Sequence, residues 1–111
     1  MKIAIVGSRS INHVNISEYV SEADEIVSGG AKGVDRCAAE YARKNGIRLT
    51  EFLPQFSTFG QKATILRNKE IVRYADRVLV FWDGKSKGSR TVIEFAKRIN
   101  KPCQIIICEP N

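Results

Sequence analysis

Between Arg77 and Trp82 the chain reads Arg-Val-Leu-Val-Phe-Trp, with no polar residue after the first position. A strand with one face in water alternates apolar and polar side chains, whereas an unbroken apolar run is typical of a strand buried on both faces. Strands of that kind occur in parallel sheets whose two faces are both covered by helices. The run therefore predicts a central strand of a parallel sheet.

Short β-rich runs alternate with helical periodicity along the rest of the chain. Further strands are predicted at residues 3–6, 25–27, 48–53 and 104–108. Helices are predicted at residues 16–22, from Val34 onward, at residues 61–74 and around Val92. In the clearest helix, apolar residues recur at i, i+3, i+4, i+7 and i+8 from Val34, and Gly46 follows as a stop. Five strands alternating with four helices predict an α/β, Rossmann-like fold with an open parallel sheet of five strands and helices on both faces.

The length of 111 residues predicts one domain spanning 1–111, with a single core. The first apolar run is too short for a signal peptide, and no segment approaches the roughly 20 apolar residues that cross a bilayer. We therefore expect a soluble, cytoplasmic protein with no membrane partner.

Cysteine and charge content limit the chemistry further. Cys37, Cys103 and Cys108 make an odd number with no C-x-x-C spacing, and His13 is the only histidine. This set predicts buried, reduced thiols, no metal site and no cofactor. The formal charge of +6 favours an anionic partner, although the basic residues are scattered rather than clustered.

The loops that follow the first, second and fourth strands are rich in Gly and Ser, whereas those at the opposite end of the sheet are not. Ligands of open parallel sheets bind outside the carboxyl ends of the strands, near the point where strand order reverses. We therefore expect a phosphate-bearing ligand at this edge. The predicted ligand-binding residues are Gly7, Ser8, Arg9, Ser28, Gly29, Gly30, Ala31, Lys32, Gly33, Asp35, Arg67, Asn68, Gly84, Ser86, Gly88 and Ser89.

The second loop carries the sharpest signal. Gly29, Gly30 and Gly33 allow positive φ and close backbone approach, so that successive N–H groups can point at one anion. The helix that begins near Gly33 adds the positive end of its dipole, and Lys32 adds charge. The alternative is a tight strand-to-helix turn that needs glycine for its geometry alone.

The two flanking loops are weaker signals. Arg9 can pair with a phosphate through two hydrogen bonds, and Ser8 can donate to a phosphate or a ribose, but a solvated turn fits equally well. Ser86, Gly88 and Ser89 open the last helix and supply amides and hydroxyls. The alternative for this third loop is a mobile surface segment.

Two polar side chains on helices have two interpretations each. Asn68 lies on the helical stripe formed by Ile65, Val72 and Ala75, which predicts that it faces inward, where a buried amide needs a partner in a loop or a ligand. Asp35 lies in the first turn of its helix, where the dipole favours a carboxylate and where a ribose hydroxyl could also meet it.

Taken together, these motifs resemble the SLOG superfamily, the Rossmann-like group that includes DprA (Smf) and the Lonely Guy phosphoribohydrolases, and within it the small YspA/YpsA-related branch. The resemblance rests on Val6-Gly7-Ser8-Arg9, on residues 28–35 followed by Ala39-Glu40-Tyr41-Ala42, on Arg67-Asn68 ahead of Ala75-Asp76, and on Val78 to Trp82 leading into Gly84-x-Ser86-x-Gly88-Ser89. It implies a nucleotide or nucleotide-derived ligand held by the loops after strands one, two and four, and it implies homo-oligomerisation.

The resemblance leaves catalysis open. Lonely Guy enzymes carry P-G-G-x-G-T-x-x-E, whose glutamate helps to cleave an N-glycosidic bond. If Gly88-Ser89 stands for G-T, the glutamate position is occupied by Val92, and Glu94 lies two residues further on, on a different face of the helix. The candidate catalytic residues are Asp35 and Glu94, with Glu94 reaching a neighbouring site from a dimer partner.

Three functions follow as hypotheses. The first is a sensor or carrier that binds a nucleotide-like small molecule without turnover, because a phosphate cradle stands beside an incomplete acid/base set. The second is a nucleotide N-glycosidase of the phosphoribohydrolase type. The third is DprA-like binding of single-stranded DNA, ranked last because Trp82 is the one aromatic residue near the glycine loops on which a base could stack.

Overall fold

A computed structural model describes all residues of the chain, Met1–Asn111. Its sheet has five strands: β1 (Lys2–Gly7), β2 (Glu25–Ser28), β3 (Arg48–Glu51), β4 (Arg77–Trp82) and β5 (Cys103–Ile107). Every neighbouring pair is parallel, in the order β3-β2-β1-β4-β5. The predicted five-stranded parallel sheet is confirmed, and the four inner residues of β4 are buried, as its unbroken apolar run predicts.

Three longer helices and one short helix complete the fold: α1 (Val34–Lys44), α2 (Phe56–Phe59), α3 (Ala63–Tyr74) and α4 (Lys87–Arg98). A 3-10 turn, Gly60–Lys62, leads into α3. The core beneath α1 and the core beneath α3 and α4 lie on opposite faces of the sheet. The predicted α/β, Rossmann-like architecture with helices on both faces is confirmed.

Alternation along β1 divides the core between the two faces. Ile3 and Ile5 point to the face covered by α1, where they meet Val34 and Ala38. The intervening Ala4 belongs to the second core, together with the apolar residues of α3 and α4. Since successive strand side chains point to opposite faces, a strand that is apolar at every position fits only a sheet covered on both sides.

No helix forms at residues 16–22, so this prediction is wrong. Ile16 is buried in the core beneath α1, as an amphipathic segment would require. However, Tyr19 N donates to Ile16 O at 3.0 Å, which is the i+3 bond of an isolated turn. Ser17 Oγ donates to Asn15 Oδ1 at 2.6 Å, and such local side-chain bonds compete with the helical ladder.

The buried face of α3 agrees with the predicted one only in part. Ala63, Arg67 and Ile71 are buried at intervals of four residues, whereas Ile65 is 45% exposed and Asn68 is only half-buried. The prediction that Ile65 faces inward is therefore wrong, whereas Val72 and Ala75 are buried as predicted. Asn68 lies between these two cases, because it is half-buried and its Oδ1 accepts Arg67 Nε at 2.8 Å. Arg67 occupies the inner position because backbone carbonyl groups there accept its guanidinium hydrogen bonds.

The bounds of two elements also differ. β3 ends at Glu51 rather than at residue 53, although Phe52 N still donates to Ser28 O at 2.9 Å. α3 begins at Ala63, after the 3-10 turn, rather than at residue 61. None of the helices is long and apolar enough to cross a membrane.

The three thiols are free, and each is half-buried rather than buried as predicted. Burial raises the pKa of Cys103 and of Cys108, both of which lie on or next to the edge strand β5. Cys37 Sγ donates to Asn12 O at 3.0 Å. No group of three or more His, Cys, Asp or Glu side chains is arranged to hold a metal ion.

Candidate functional site

A cavity of about 440 Å³ opens at the carboxyl ends of β1 and β4. Strand order reverses between these two strands, because the chain adds β2 and β3 on one side of β1 and β4 and β5 on the other. Such a switch point is where open α/β sheets bind ligands. The cavity is lined by Val6, Gly7, Ser8, Arg9, Ser10, Ala31, Asp35, Thr64, Ile65, Arg67, Asn68, Ile71, Asp83, Ser86, Gly88, Ser89, Thr91 and Val92.

Three serine hydroxyl groups are linked across one wall of the cavity. Ser8, at the end of β1, shares a hydrogen bond of 2.6 Å with Ser86, and Ser86 Oγ lies 3.5 Å from Ser89 Oγ. Ser8 is 2% exposed and Ser89 is 5% exposed, so both hydroxyls are held in place by their surroundings. The loop after β1 and the start of α4 therefore form one connected hydroxyl surface.

Asp83 organises the loop between β4 and α4. Its Oδ1 accepts the amides of Lys85 and Ser86, each at 2.8 Å, and its Oδ2 accepts Ser10 Oγ at 3.0 Å. The amides of Ser86 and Lys85 hold the pKa of Asp83 well below its usual range, so this carboxylate remains charged. The loop thus forms an Asx-type turn in which the Asp83 carboxylate holds the Ser86 amide.

The first turn of α4 points at the cavity. Ser86 precedes the helix without a side-chain cap, and the first helical bond, from Arg90 N to Ser86 O, is 3.3 Å long. The N–H groups of the residues between these two have no intrahelical acceptor, and they carry the positive end of the helix dipole. Gly88 lines the cavity with no atom within 4 Å of where its Cβ would stand, so a ligand can approach this backbone closely.

Arg67 ties three parts of the site together from inside the protein. Its side chain is buried, and Nη1 donates to Gly29 O at 2.5 Å and to Phe52 O at 3.3 Å. Nε donates to Asn68 Oδ1 at 2.8 Å, which leaves Nδ2 of that amide as its free polar end. Burial lowers the pKa of Arg67, and the negative charge of Asp35 opposes this shift.

Gly29 is required by this packing. A Cβ at Gly29 would stand 2.7 Å from Arg67 Nη1 and 3.0 Å from Asp35 Oδ2. The two charged side chains therefore occupy the space that a Cβ at position 29 would take, and a larger residue would have to displace them.

Asp35 is the polar residue whose bonding is incomplete. It is 6% exposed and lines the cavity; Oδ2 accepts Ala31 N at 3.1 Å, whereas Oδ1 is buried and has no hydrogen-bond partner. Burial raises the pKa of Asp35, and the Ala31 amide and the charges of Arg67 and Arg9 oppose that rise.

A pH-dependent contribution to stability follows from Asp35. Its ordinary pKa is 3.8 and its pKa in the folded state is higher, so between these values the folded protein keeps a proton that the unfolded chain has released. The contribution of Asp35 to the free energy of unfolding is therefore greatest below pH 3.8, and it is lost as the pH rises through the folded-state pKa. We expect the stability of Asp35→Asn relative to the native protein to increase over that interval and then to level off.

Urea unfolding at half-unit pH steps from 3 to 7 measures this difference, and subtracting the native curve removes the effect of other titrating groups. Glu94→Gln, which alters an exposed carboxylate outside the cavity, is the matched control. A constant difference between Asp35→Asn and the native protein would contradict the expected role of burial.

The predicted site residues divide into two groups. Those that line the cavity are Gly7, Ser8, Arg9, Ala31, Asp35, Arg67, Asn68, Ser86, Gly88 and Ser89. Those outside its lining are Ser28, Gly29, Gly30, Lys32, Gly33 and Gly84. The cavity thus faces the loop after β1 and the start of α4, while the glycine loop after β2 contributes mainly through Ala31 and the adjoining Asp35.

Gly33 brings the two loops together from outside the cavity. It has φ 73° and ψ −125°, and a Cβ there would lie 2.7 Å from Ser8 O and 2.8 Å from Arg9 O. This glycine lets the start of α1 pass directly against the loop that carries Ser8 and Arg9.

The sequence reasoning missed several lining residues, namely Ser10, Thr64, Ile65, Asp83 and Thr91. Asp83 offered a usable signal, since an Asp side chain in a loop commonly bonds the backbone N–H two residues further on and forms an Asx turn. Glu94 is exposed and does not line the cavity. The chain therefore brings one of the two candidate catalytic carboxylates, Asp35, to the cavity and leaves the other outside.

Fold and cavity together define a Rossmann-like α/β domain with a cavity at its switch point. The family model YAcAr, described as the YspA, cpYpsA-related SLOG family, matches residues 1–59, which is more than half of the chain. The chain therefore belongs to the YspA, cpYpsA-related SLOG family, and the resemblance carried by its motifs is confirmed. Neither the curated proteins nor the solved structures gave a match.

The family match covers only part of the cavity. It includes the loops after β1 and β2 and ends at Phe59, before α3 begins. Arg67 and the start of α4 lie outside it, so their place in the site rests on the geometry alone.

Proposed function

We propose that this protein binds a phosphate-bearing nucleotide or nucleotide-derived ligand in the cavity at the β1/β4 switch point, as a sensor or carrier module. One observation carries the proposal. The backbone amides at the start of α4, which have no acceptor within the helix, lie on the same wall of the cavity as the linked hydroxyl groups of Ser8, Ser86 and Ser89. Helix N-termini with free amides favour anions, and hydroxyl groups add neutral donors.

Arg9 is the cation available to such an anion. It is exposed, lines the cavity and makes no hydrogen bond within the protein, whereas Arg67 already donates to three groups of the protein. A phosphate group would therefore meet Arg9 from the solvent side and the amides of α4 from the protein side. Asp35 and Asp83 bring negative charge to the same cavity, which favours a ligand with one anionic end and neutral donors elsewhere.

Size and family support the same proposal. A volume of about 440 Å³ falls within the range of roughly 300–1,000 Å³ found for small-molecule sites. Membership of the SLOG superfamily is consistent with nucleotide-related binding. We propose a ligand of nucleotide size rather than a polymer, because Trp82, the candidate for base stacking, lies outside the lining and donates to Ser86 O at 3.0 Å.

A thermal-shift panel tests the proposal. It includes nucleoside monophosphates, ADP-ribose and its cyclic forms, NAD and a short single-stranded DNA. A ligand present at about 100 times its dissociation constant stabilises a protein by about 2.7 kcal/mol, which raises the melting temperature of a domain of this size by several degrees. A shift with a nucleotide is expected, and no shift with any member would contradict the proposal.

Replacing Arg9 distinguishes this cavity from other basic surfaces. We expect Arg9→Gln to weaken nucleotide binding by roughly tenfold, which corresponds to one charge-assisted hydrogen bond, without loss of thermal stability. Arg43→Gln removes the same charge from an exposed position at the far end of α1 and is the control. Isothermal titration with the best ligand of the panel measures both, and equal losses in the two variants would argue against this cavity.

A second candidate function is hydrolysis of the N-glycosidic bond of a nucleotide. The observation in its favour is Asp35, a buried carboxyl whose pKa is raised by burial, as in many general acids. Incubation with the nucleotide panel followed by chromatography for the free base decides between the two. Release of base that is lost in Asp35→Asn would make the protein an enzyme, and unchanged nucleotide would support a binding module.

A further inference from the structure

The unpartnered oxygen of Asp35 limits what can occupy its part of the cavity. Asp35 is 6% exposed, and its Oδ1 atom is fully buried without any hydrogen-bond donor. Buried polar atoms are rarely left unsatisfied, because the loss of hydration costs about 1–3 kcal/mol or more for a charged group. A group of the ligand that donates a hydrogen bond would remove this cost once the Asp35 side chain, which lines the cavity, turns Oδ1 toward it.

The phosphate is not that group. A carboxylate accepts hydrogen bonds, and a phosphate carries acceptor oxygens and negative charge, so the two repel each other. Neutral donors, such as a sugar hydroxyl or a base amino group, match the carboxylate instead. The anion-binding wall of Ser8, Ser86 and Ser89 is then one end of the site and Asp35 is another.

The spacing between these two ends favours the sugar. Gly33, two residues before Asp35, packs directly against the loop that follows β1, within 2.7 Å of Ser8 O if a Cβ is placed on it. Asp35 and the three serines line the same cavity, and in a nucleotide the sugar is the unit bonded directly to the phosphate. The base stands one unit further away.

Asn68 adds a matching donor. Its Oδ1 accepts Arg67 Nε at 2.8 Å, so the amide offers Nδ2 as its free end, and the residue lines the same cavity. A ribose hydroxyl can donate to a carboxylate while a neighbouring hydroxyl oxygen accepts from an amide. An acceptor and a donor in one cavity thus suit two adjacent hydroxyls.

We propose that Asp35 is a specificity-determining residue that accepts a hydrogen bond from a ribose hydroxyl, so that the site takes ribonucleotides in preference to nucleotides lacking that hydroxyl. This inference rests on the proposed function. Arg67 acts as a positioning residue, because it orients Asn68 and holds the Gly29 backbone against Asp35. The chemical class of ligand is a ribose-containing mononucleotide or a derivative with a free sugar diol.

The test compares matched sugars on one base. Isothermal titration is carried out with the best-binding nucleoside 5′-monophosphate and with its 2′-deoxy and 3′-deoxy analogues. One charge-assisted hydrogen bond predicts that at least one analogue binds roughly 10- to 100-fold more weakly than the ribonucleotide. Equal affinity for all three sugars would overturn the inference while leaving the proposed function standing, whereas binding of none would overturn both.

Three variants assign the discrimination to Asp35. Asn at this position keeps the shape and an acceptor for Ala31 N, and Ala removes the group entirely. We expect the ratio of ribo to deoxy affinity to fall in the order Asp, Asn, Ala, reaching less than about threefold in Asp35→Ala. Glu70→Gln, on the exposed side of α3 and outside the cavity, keeps the native ratio.

If Asp35→Ala fails to fold, Asp35→Asn still provides the test, because its side-chain oxygen can accept the hydrogen bond from Ala31 N. Circular dichroism melting checks that each variant is folded before titration. A native ratio that persists in a folded Asp35→Asn or Asp35→Ala variant would show that another group reads the sugar, and it would overturn the inference.

Discussion

Replacing Arg67 with Met lowers the free energy of unfolding by roughly 3–5 kcal/mol, which is the usual cost of removing one partner from a buried charged network. Arg67 is 8% exposed, and its guanidinium donates to Gly29 O, Phe52 O and Asn68 Oδ1. Met fills much of the same volume but donates nothing. Two backbone carbonyls lose their donor, and the nearby Asp35 carboxylate loses a compensating positive charge.

A loss of this size is a large fraction of the stability of a domain, which is typically about 5–15 kcal/mol. The melting temperature would fall by of the order of 15 °C or more for a chain of this length. Urea unfolding followed by circular dichroism gives the free energy directly. Arg67→Lys keeps the charge without the planar fork of donors, so we expect it to lie between the native protein and Arg67→Met.

Arg73→Met on the same helix is the matched control. Arg73 is exposed, and its guanidinium lies 5.0 Å from the ring centroid of Phe95, so its removal should cost less than about 1 kcal/mol. If Arg67→Met cost no more than Arg73→Met, the buried guanidinium would not be the link that joins α3 to the loops after β2 and β3.

The hydrogen bonds of Arg67 also explain which part of the fold could not be predicted from the sequence. Strand β4 could be predicted to the residue, because a run that is apolar at every position has one favourable environment. The inward position of Arg67 on α3 could not, because a helical wheel assigns an arginine to the solvent side. Arg67 is 38 residues from the carbonyl group of Gly29 that it contacts, and such a partner appears only in the folded chain.

The helix predicted before β2, at residues 16–22, is absent for a different reason. Residues 16–22 have the apolar spacing of a helix, and Ile16 does reach the core. Helix formation there would need propensity as well as pattern, and the short polar side chains of Asn15 and Ser17 bond to each other instead. Apolar spacing predicted burial correctly and the backbone conformation wrongly.

The candidate site could be predicted from the sequence where glycine, which frees the backbone, and serine, which adds a hydroxyl group, occur together at the end of a strand. The loop after β1 and the start of α4 combine Gly and Ser at strand ends, and both line the cavity. The glycine loop after β2 predicts phosphate binding from its sequence, but glycine permits close packing as well as close ligand approach. In the structure, Gly29 and Gly33 lie outside the lining and face Arg67 and the backbone of Arg9.

Gly33→Ala tests this packing role, and we expect a loss of about 3–5 kcal/mol in the free energy of unfolding. Part of the loss comes from the backbone, since φ 73° and ψ −125° are unfavourable for any residue with a Cβ. The rest comes from overlap, since the new Cβ would stand 2.7 Å from Ser8 O and 2.8 Å from Arg9 O. Neither carbonyl belongs to a flexible side chain, so the loop itself would have to move.

Gly60→Ala separates the two contributions. Gly60 has nearly the same dihedral angles, φ 56° and ψ −129°, and no atom lies within 4 Å of where its Cβ would stand. Its loss should therefore be the backbone cost alone, roughly 1–3 kcal/mol. Urea unfolding measures the loss of unfolding free energy in each variant. Equal losses in Gly33→Ala and Gly60→Ala would mean that the loop after β1 moves aside with little loss of stability. A larger loss at Gly33 would mean that the start of α1 holds Ser8 and Arg9 in position, and the glycine loop would then act on the ligand through packing rather than contact.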